Sequence, residues 1–204
     1  MFEGTFLVDT NSYVRIARSA MCVLGNHGGL ELRLIKEIAD ECSRSSRLKS
    51  ITPWILQPPH PALRIQWTLP LTKTEAKSVA TTRNELAEAV QDTLEDFATQ
   101  KKARGDQRSV LSSPDKALLF TAYSLGCGVV TDEGPLTLVC KEFEIPHYTT
   151  LQLLHHFRTS EILSADQIAS MVKLWQYEKD EPKNWKKDYL KLFGPPLPEW
   201  GLDG

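Results

Sequence analysis

The sequence predicts an α/β fold in which buried strands end in acids at one edge of a sheet. Two stretches carry that prediction. Ser113 to Gly134 reads as a capped helix, a glycine stop, a buried strand and then Asp132 and Glu133. Thr5 to Ala17 repeats the order of strand, acid and helix around Asp9. In an open α/β sheet the carboxyl edge of the strands is where ligands sit.

With 204 residues and 41% hydrophobic content, the chain can bury one substantial core, so one domain with an extension is expected. The apolar runs are far shorter than the roughly 18 residues that span a bilayer, and the N-terminus lacks a basic segment leading into an apolar signal core. The expectation is a cytoplasmic protein with no membrane partner. Cys22, Cys42, Cys127 and Cys140 show no CxxC spacing and lie in apolar or helical contexts, which favours buried free thiols over disulfides or zinc. The net charge of -2 neither requires nor forbids a polyanionic substrate.

Taken in order, Thr5 to Asp9 is an apolar run ending in an acid, and Thr10-Asn11-Ser12 supplies turn and cap residues before a helix with Val14, Ile16 and Ala17. Gly25 to Gly29 reads as a loop, Leu30 to Ile35 as a short strand, and Lys36 to Ser43 as a helix with Glu37 and Glu41 on one face. Arg44 to Lys49 is a polar, basic connection. Ile51 to Leu56 contains Pro53 and suits only a sheet edge, and Gln57 to Pro61 is a proline-rich loop. Leu63 to Leu69 alternates cleanly and predicts a strand. A long helix is predicted from Thr74 to Lys101, with Ala76, Val79, Ala80, Leu86, Ala87, Val90, Leu94 and Phe97 at three-and-four spacing.

In the second half, Ser113 is read as an N-cap, Pro114 as the first helical residue, and Asp115 as a first-turn acid favoured by the helix dipole. Gly126 closes that helix, and Cys127 to Val130 is a strand covered on both faces. Leu136 to Phe143 predicts a short helix, and Ile145 to Thr149 an edge strand. Beyond this, Ser164 to Gln167 is a capping box before an apolar stripe of Ile168, Met171, Val172 and Trp175, which must pack on something. The tail from Phe193 to Trp200 reads as extended, with Trp185, Phe193 and Trp200 as anchors.

The strand ends thus deliver Asp9, Asp115 and Asp132/Glu133 to one rim, with Glu37 or Glu41 beside them. So many oxygen donors suit Mg²⁺ or Mn²⁺. Without an ion such carboxylates repel and raise one another's pKa. One or two ions in an acidic cluster of this kind hydrolyse phosphodiesters.

Phe6 to Asn11, Ile38 to Cys42, Pro114 to Leu118 and Val129 to Glu133, in that order, resemble the four motifs of PIN-domain nucleases, including VapC-type toxins. The resemblance covers roughly residues 1–157, with 158–204 as a C-terminal helical extension and Pro-rich tail. It implies a three-layer α/β/α fold with a central parallel sheet, metal-dependent endoribonuclease activity on single-stranded or structured RNA, and often a homodimer. It also implies Asp9, Glu41, Asp115 and Asp132 or Glu133 as metal-binding catalytic acids, with Asn11 and Thr131 in support. A toxin role implies a protein antitoxin.

The last motif departs from the family's pattern, because Glu133 stands at the third position and Asp132 at the middle one. Either can be the ligand. Glu41 fits the family spacing better than Glu37. The substitution of Glu for the usual Asp favours an alternative reading, a catalytically silent binding module that recruits a protein or RNA partner. A phosphatase of the haloacid dehalogenase type would want an acid where Asn11 stands. His147, His155 and His156 read as surface residues, and Trp54 and Trp67 as packing residues before base-stacking ones.

Overall fold

The computed structural model describes residues 3–18, 24–51, 67–102 and 110–199. Strand β1 (Gly4–Val8) is the central strand, and it leads through Asp9 into α1 (Thr10–Ala17). β2 (Gly25–His27), β3 (Leu30–Arg33), α2 (Lys36–Arg44), α3 (Ser46–Ile51) and the long α4 (Lys73–Lys102) follow. The second half contains α5 (Ser113–Leu125), β4 (Gly128–Val130), α6 (Gly134–Glu142), β5 (His147–Tyr148), α7 (Thr150–Thr159), α8 (Ala165–Glu178) and α9 (Trp185–Phe193).

Among the described residues the strands form one sheet in the order β2-β3-β1-β4-β5. β1 runs parallel to β3 and β4, β4 runs parallel to β5, and only β2 is antiparallel. Helices flank this mostly parallel sheet, an arrangement consistent with a three-layer α/β/α fold. Leu7, Leu30, Leu32, Val129 and Val130 are essentially inaccessible, as residues of a sheet covered on both faces must be.

Several local expectations need correction. The helix at 113 is capped one residue earlier: the Ser112 hydroxyl accepts from the Asp115 N–H, and Asp115 bonds back to the Ser112 N–H. Gly25 to His27 is a strand, not a loop, because Gly28 and Gly29 both take positive φ and close a two-residue hairpin onto β3. Arg44 to Lys49 is not an open connection, since Ser45 caps α3 by accepting from the Leu48 N–H at 3.2 Å. The predicted edge segment and proline-rich loop, 52–61, lie outside the described residues, as do 62–66 of the alternating run. What is described of that run makes one parallel bridge, Leu34 to Thr68, with Trp67 buried.

α4 matches its predicted span, but its stripe is only partly covered. Val90 and Leu94 are buried and Val79, Leu86 and Phe97 half-buried, whereas Ala76, Ala80 and Ala87 are exposed. Cys42, Cys127 and Cys140 are buried free thiols. His147, His155 and His156 are half-buried rather than superficial: His155 packs its ring on Phe193 and His156 lies beside Phe157.

The C-terminal helices share the core of the sheet domain. Ile168, Met171, Val172 and Trp175 are all buried, as their stripe predicted, and the Trp175 indole N–H donates to the Arg15 carbonyl at 3.0 Å. Trp185 to Phe193 forms a helix that the sequence reading did not anticipate. The proline-rich tail folds back, with the Gln176 amide donating to the Pro198 carbonyl at 2.7 Å. Trp200 lies outside the described residues.

One close approach makes a prediction. Gly128 faces the Phe6 ring across β1 and β4, and a Cβ there would overlap that ring. Gly128→Ala is expected to cost about 1–3 kcal/mol, because a packed core yields to an added methyl group only by strain. Urea unfolding measures it, and an unchanged midpoint would show that the ring moves freely.

Candidate active site

The parallel ladder continues into the site: the Asp9 N–H donates to the Val130 carbonyl at 3.0 Å and the Thr131 N–H to the Tyr148 carbonyl at 2.9 Å. The carboxyl ends of β1 and β4 therefore lie side by side, and the first turn of α1 rises between the acids. Each residue of that turn engages one of them. Ser12 donates its backbone N–H to Asp9 Oδ1 at 2.6 Å, Thr10 its hydroxyl to Glu41 Oε2 at 2.5 Å, and Asn11 its Nδ2 to Glu133 Oε1 at 2.7 Å. Thr10 and Ser12 escaped the sequence reading as site residues, although the cap position of Asp9 already placed Ser12 in reach.

Asp9 is buried and caps α1 while also accepting from the Thr131 hydroxyl. Burial pushes its carboxyl up to about 7; the bonds from Thr131 and Ser12 oppose this, and the Asp132 charge adds to it. Asp115 is buried at the N-terminus of α5, with the Ser112 hydroxyl and N–H both on Oδ2. Glu133 precedes α6 without capping it, so its carboxylate is left to Asn11. Burial raises the Glu133 carboxyl first and the charge of Asp115 second, while Asn11 and Arg15 lower it and Glu41 adds a smaller upward push.

The two alternatives open in the sequence separate spatially. Glu37 is exposed, one turn before Glu41, and only Glu41 is bonded to α1. Thr131 and Glu133 face Asp9 and Asn11, whereas Asp132 turns the other way. Asp132 Oδ2 pairs with Arg15 Nη1 at 2.8 Å, and Oδ1 accepts from the Thr150 N–H at 2.9 Å. This is the alternation of an extended chain, in which successive side chains point to opposite sides. That rule, applied to residues 131–133, was the available signal.

The donor chemistry fits a hard divalent ion. Among the described residues, Oε1 of Glu41, Oδ1 of Asp115 and Oε2 of Glu133 receive no protein hydrogen bond. Yet no three acid, His or Cys side chains there stand close enough to share an ion as they are placed. The acids feel one another's charge across the site, but each is held by its own donor, so sharing an ion requires the carboxylates to move. A groove of about 1470 Å³ opens beside Glu41 between α2, α4 and α5, with Lys36, Arg44, Arg83 and Lys116 among its lining residues.

Fold and site together define an α/β protein with an acidic cluster at the carboxyl edge of a mostly parallel sheet. No protein-family model matches the chain, and no curated protein matches it. No helix among the described residues is long and apolar enough to cross a membrane.

Proposed function

We propose that the protein is a PIN-like, Mg²⁺- or Mn²⁺-dependent endoribonuclease. The observation that supports this most is the convergence of three acids, Asp9, Glu41 and Glu133, on the first turn of α1, with the Asp115 charge acting on Glu133, at the edge where such folds bind ligands. Asp9, Glu41, Asp115 and Glu133 are the proposed ion-holding acids, and Asp132 is assigned to fastening β4 to α1 and α7. Bound there, a divalent ion supplies positive charge against the phosphate and acidifies water.

The chain's own groups orient the acids. Thr131 donates to Asp9 and accepts from the Glu133 N–H at 3.0 Å, tying the ends of β1 and β4 together. Thr10 and Asn11 aim Glu41 and Glu133 from one helical turn. Lys36, Arg83 and Lys116 of the neighbouring groove, which Glu37, Asp40 and Glu41 also line, offer positive charge to a phosphate backbone. In a toxin role the chain pairs with a protein antitoxin and acts as a homodimer in the cytoplasm. The separate tethering of each acid favours a second reading, a silent binding module that uses the same cleft.

Purified protein incubated with single-stranded and structured RNAs separates the two readings. Cleavage is expected with Mn²⁺ and none with EDTA. Glu133→Gln should lower the rate by more than the roughly 10–100-fold that loss of a supporting partner costs, whereas Asp132→Asn should keep most activity and lose stability instead. Cleavage indifferent to EDTA would overturn the metal-dependent reading, and cleavage absent from every RNA would leave the binding module standing.

A further inference from the structure

We infer that Arg15 is a positioning residue for the acidic site: anchored by the C-terminal helices, it keeps Asp132 turned out of the cluster and so fixes Thr131 and Glu133 facing Asp9 and Asn11. The inference rests on the metal-site reading above for its consequence, but on geometry alone for its substance.

Arg15 is buried in the middle of α1, and all three guanidinium nitrogens are committed. Nη1 holds Asp132 Oδ2 at 2.8 Å, Nε donates to the Asp180 carbonyl at 2.8 Å, and Nη2 reaches Asp180 Oδ1 at 3.3 Å. Its own carbonyl accepts from Trp175. The residue is thus pinned from the far side by the segment that ends α8, which leaves Nη1 aimed at Asp132. Asp132 is held from a second direction by the N–H and hydroxyl of Thr150, at the start of α7.

The consequence follows from the extended backbone at 131–133. Reversing one residue reverses its neighbours, because adjacent side chains occupy opposite sides. Asp132 lies close enough to Asp9 for its charge to act there. Deprived of Arg15, it becomes a buried carboxylate without a counter-ion, and a turn of the 131–133 backbone that carries it toward water relieves it. That movement withdraws Glu133 from Asn11. A role as a mere staple between α1 and α8 makes a different demand: it needs Arg15 and Asp180, and it is indifferent to the charge at 132.

The test compares Arg15→Met with the double variant Arg15→Met/Asp132→Asn in full-length, metal-free protein. In the double variant the amide oxygen still accepts from Thr150, and no charge is left to seek a partner. The readouts are the NMR signals of the Asn11 side-chain amide and of the Thr131 and Glu133 backbone amides, with MnCl₂ affinity measured by calorimetry. Arg15→Met is expected to displace those signals and weaken Mn²⁺ about tenfold. The double variant is expected to restore most of both. If Arg15→Met does not fold, Arg15→Gln with and without Asp132→Asn gives the same comparison, since glutamine keeps polar donors for Asp180 but brings no charge to Asp132. Undisplaced signals in the single variant, or a double variant no better than the single, would overturn the inference. Failure of the wild type to cleave RNA sinks the nuclease reading alone, because the NMR comparison still decides the role of Arg15.

Discussion

Asp9→Asn is expected to be more stable than the wild type at pH 8 in EDTA, while nearly abolishing any Mn²⁺-dependent cleavage. The folded protein raises the Asp9 carboxyl to about 7 by burial, from a usual value of 3.8. Between those values the native state binds a proton that the unfolded state has released, so stability falls as pH rises through this window. Above about 7 the full penalty of a buried charge is in place, up to about 4 kcal/mol for a shift of this size; below about 4 it is absent. Asparagine removes the charge and keeps the bonds: its oxygen accepts from Ser12, and its nitrogen can donate to the Thr131 hydroxyl. The advantage of the variant should therefore shrink between pH 8 and pH 5. Saturating Mn²⁺ should narrow it too, because an ion at a hundred times its Kd stabilises the wild type by about 2.7 kcal/mol. Urea unfolding at the two pH values decides the matter. A pH-independent difference would mean that Asp9 is charged and solvated in the fold.

The second large effect belongs to Trp175. Its side chain is fully buried, far from the acids in sequence, and its indole N–H is bonded to the backbone of α1. Trp175→Ala should cost about 3–5 kcal/mol by cavity formation alone, and more because the Arg15 carbonyl loses its donor. In a chain of this length each kcal/mol shifts the melting temperature by about 2–4 °C, so a fall of roughly 10 °C or more is expected. Trp175→Phe isolates the hydrogen bond from the volume and should cost about 1–3 kcal/mol. A wild-type melting temperature for Trp175→Ala would show that the C-terminal helices melt apart from the sheet.

The sheet strands were legible because Thr5 to Val8 and Gly128 to Val130 are short apolar runs bounded by turn residues. α5 and α8 announced themselves by caps and glycine. The β2–β3 hairpin was hidden because its outer strand is only three residues long and polar, although Gly28-Gly29 is the turn such a hairpin uses. α9 was obscured by the proline-rich segment that follows it. Within the site, Asp9 and Asp115 could be read from a strand end and a helix start, since those positions are set locally, whereas Glu41, inside α2, was preferred for its spacing in the family resemblance. Arg15 could not: on sequence it is one more basic residue of an amphipathic helix, and its partner Asp180 lies 165 residues away.

That separation sets an order of events during synthesis. At about 5–20 residues per second, Arg15 leaves the ribosome roughly ten to thirty seconds before Asp180 does. Through the later part of that interval α1 has Asp132 for its guanidinium but lacks Asp180 for the rest of the fork and Trp175 for its carbonyl, while β1, β4 and their acids have already been made. The sheet can assemble around a strand end whose orientation is not yet locked. On this account the growing chain acquires its acids early and its ordered site late, so whatever chemistry the cluster performs is withheld until the last helices have docked.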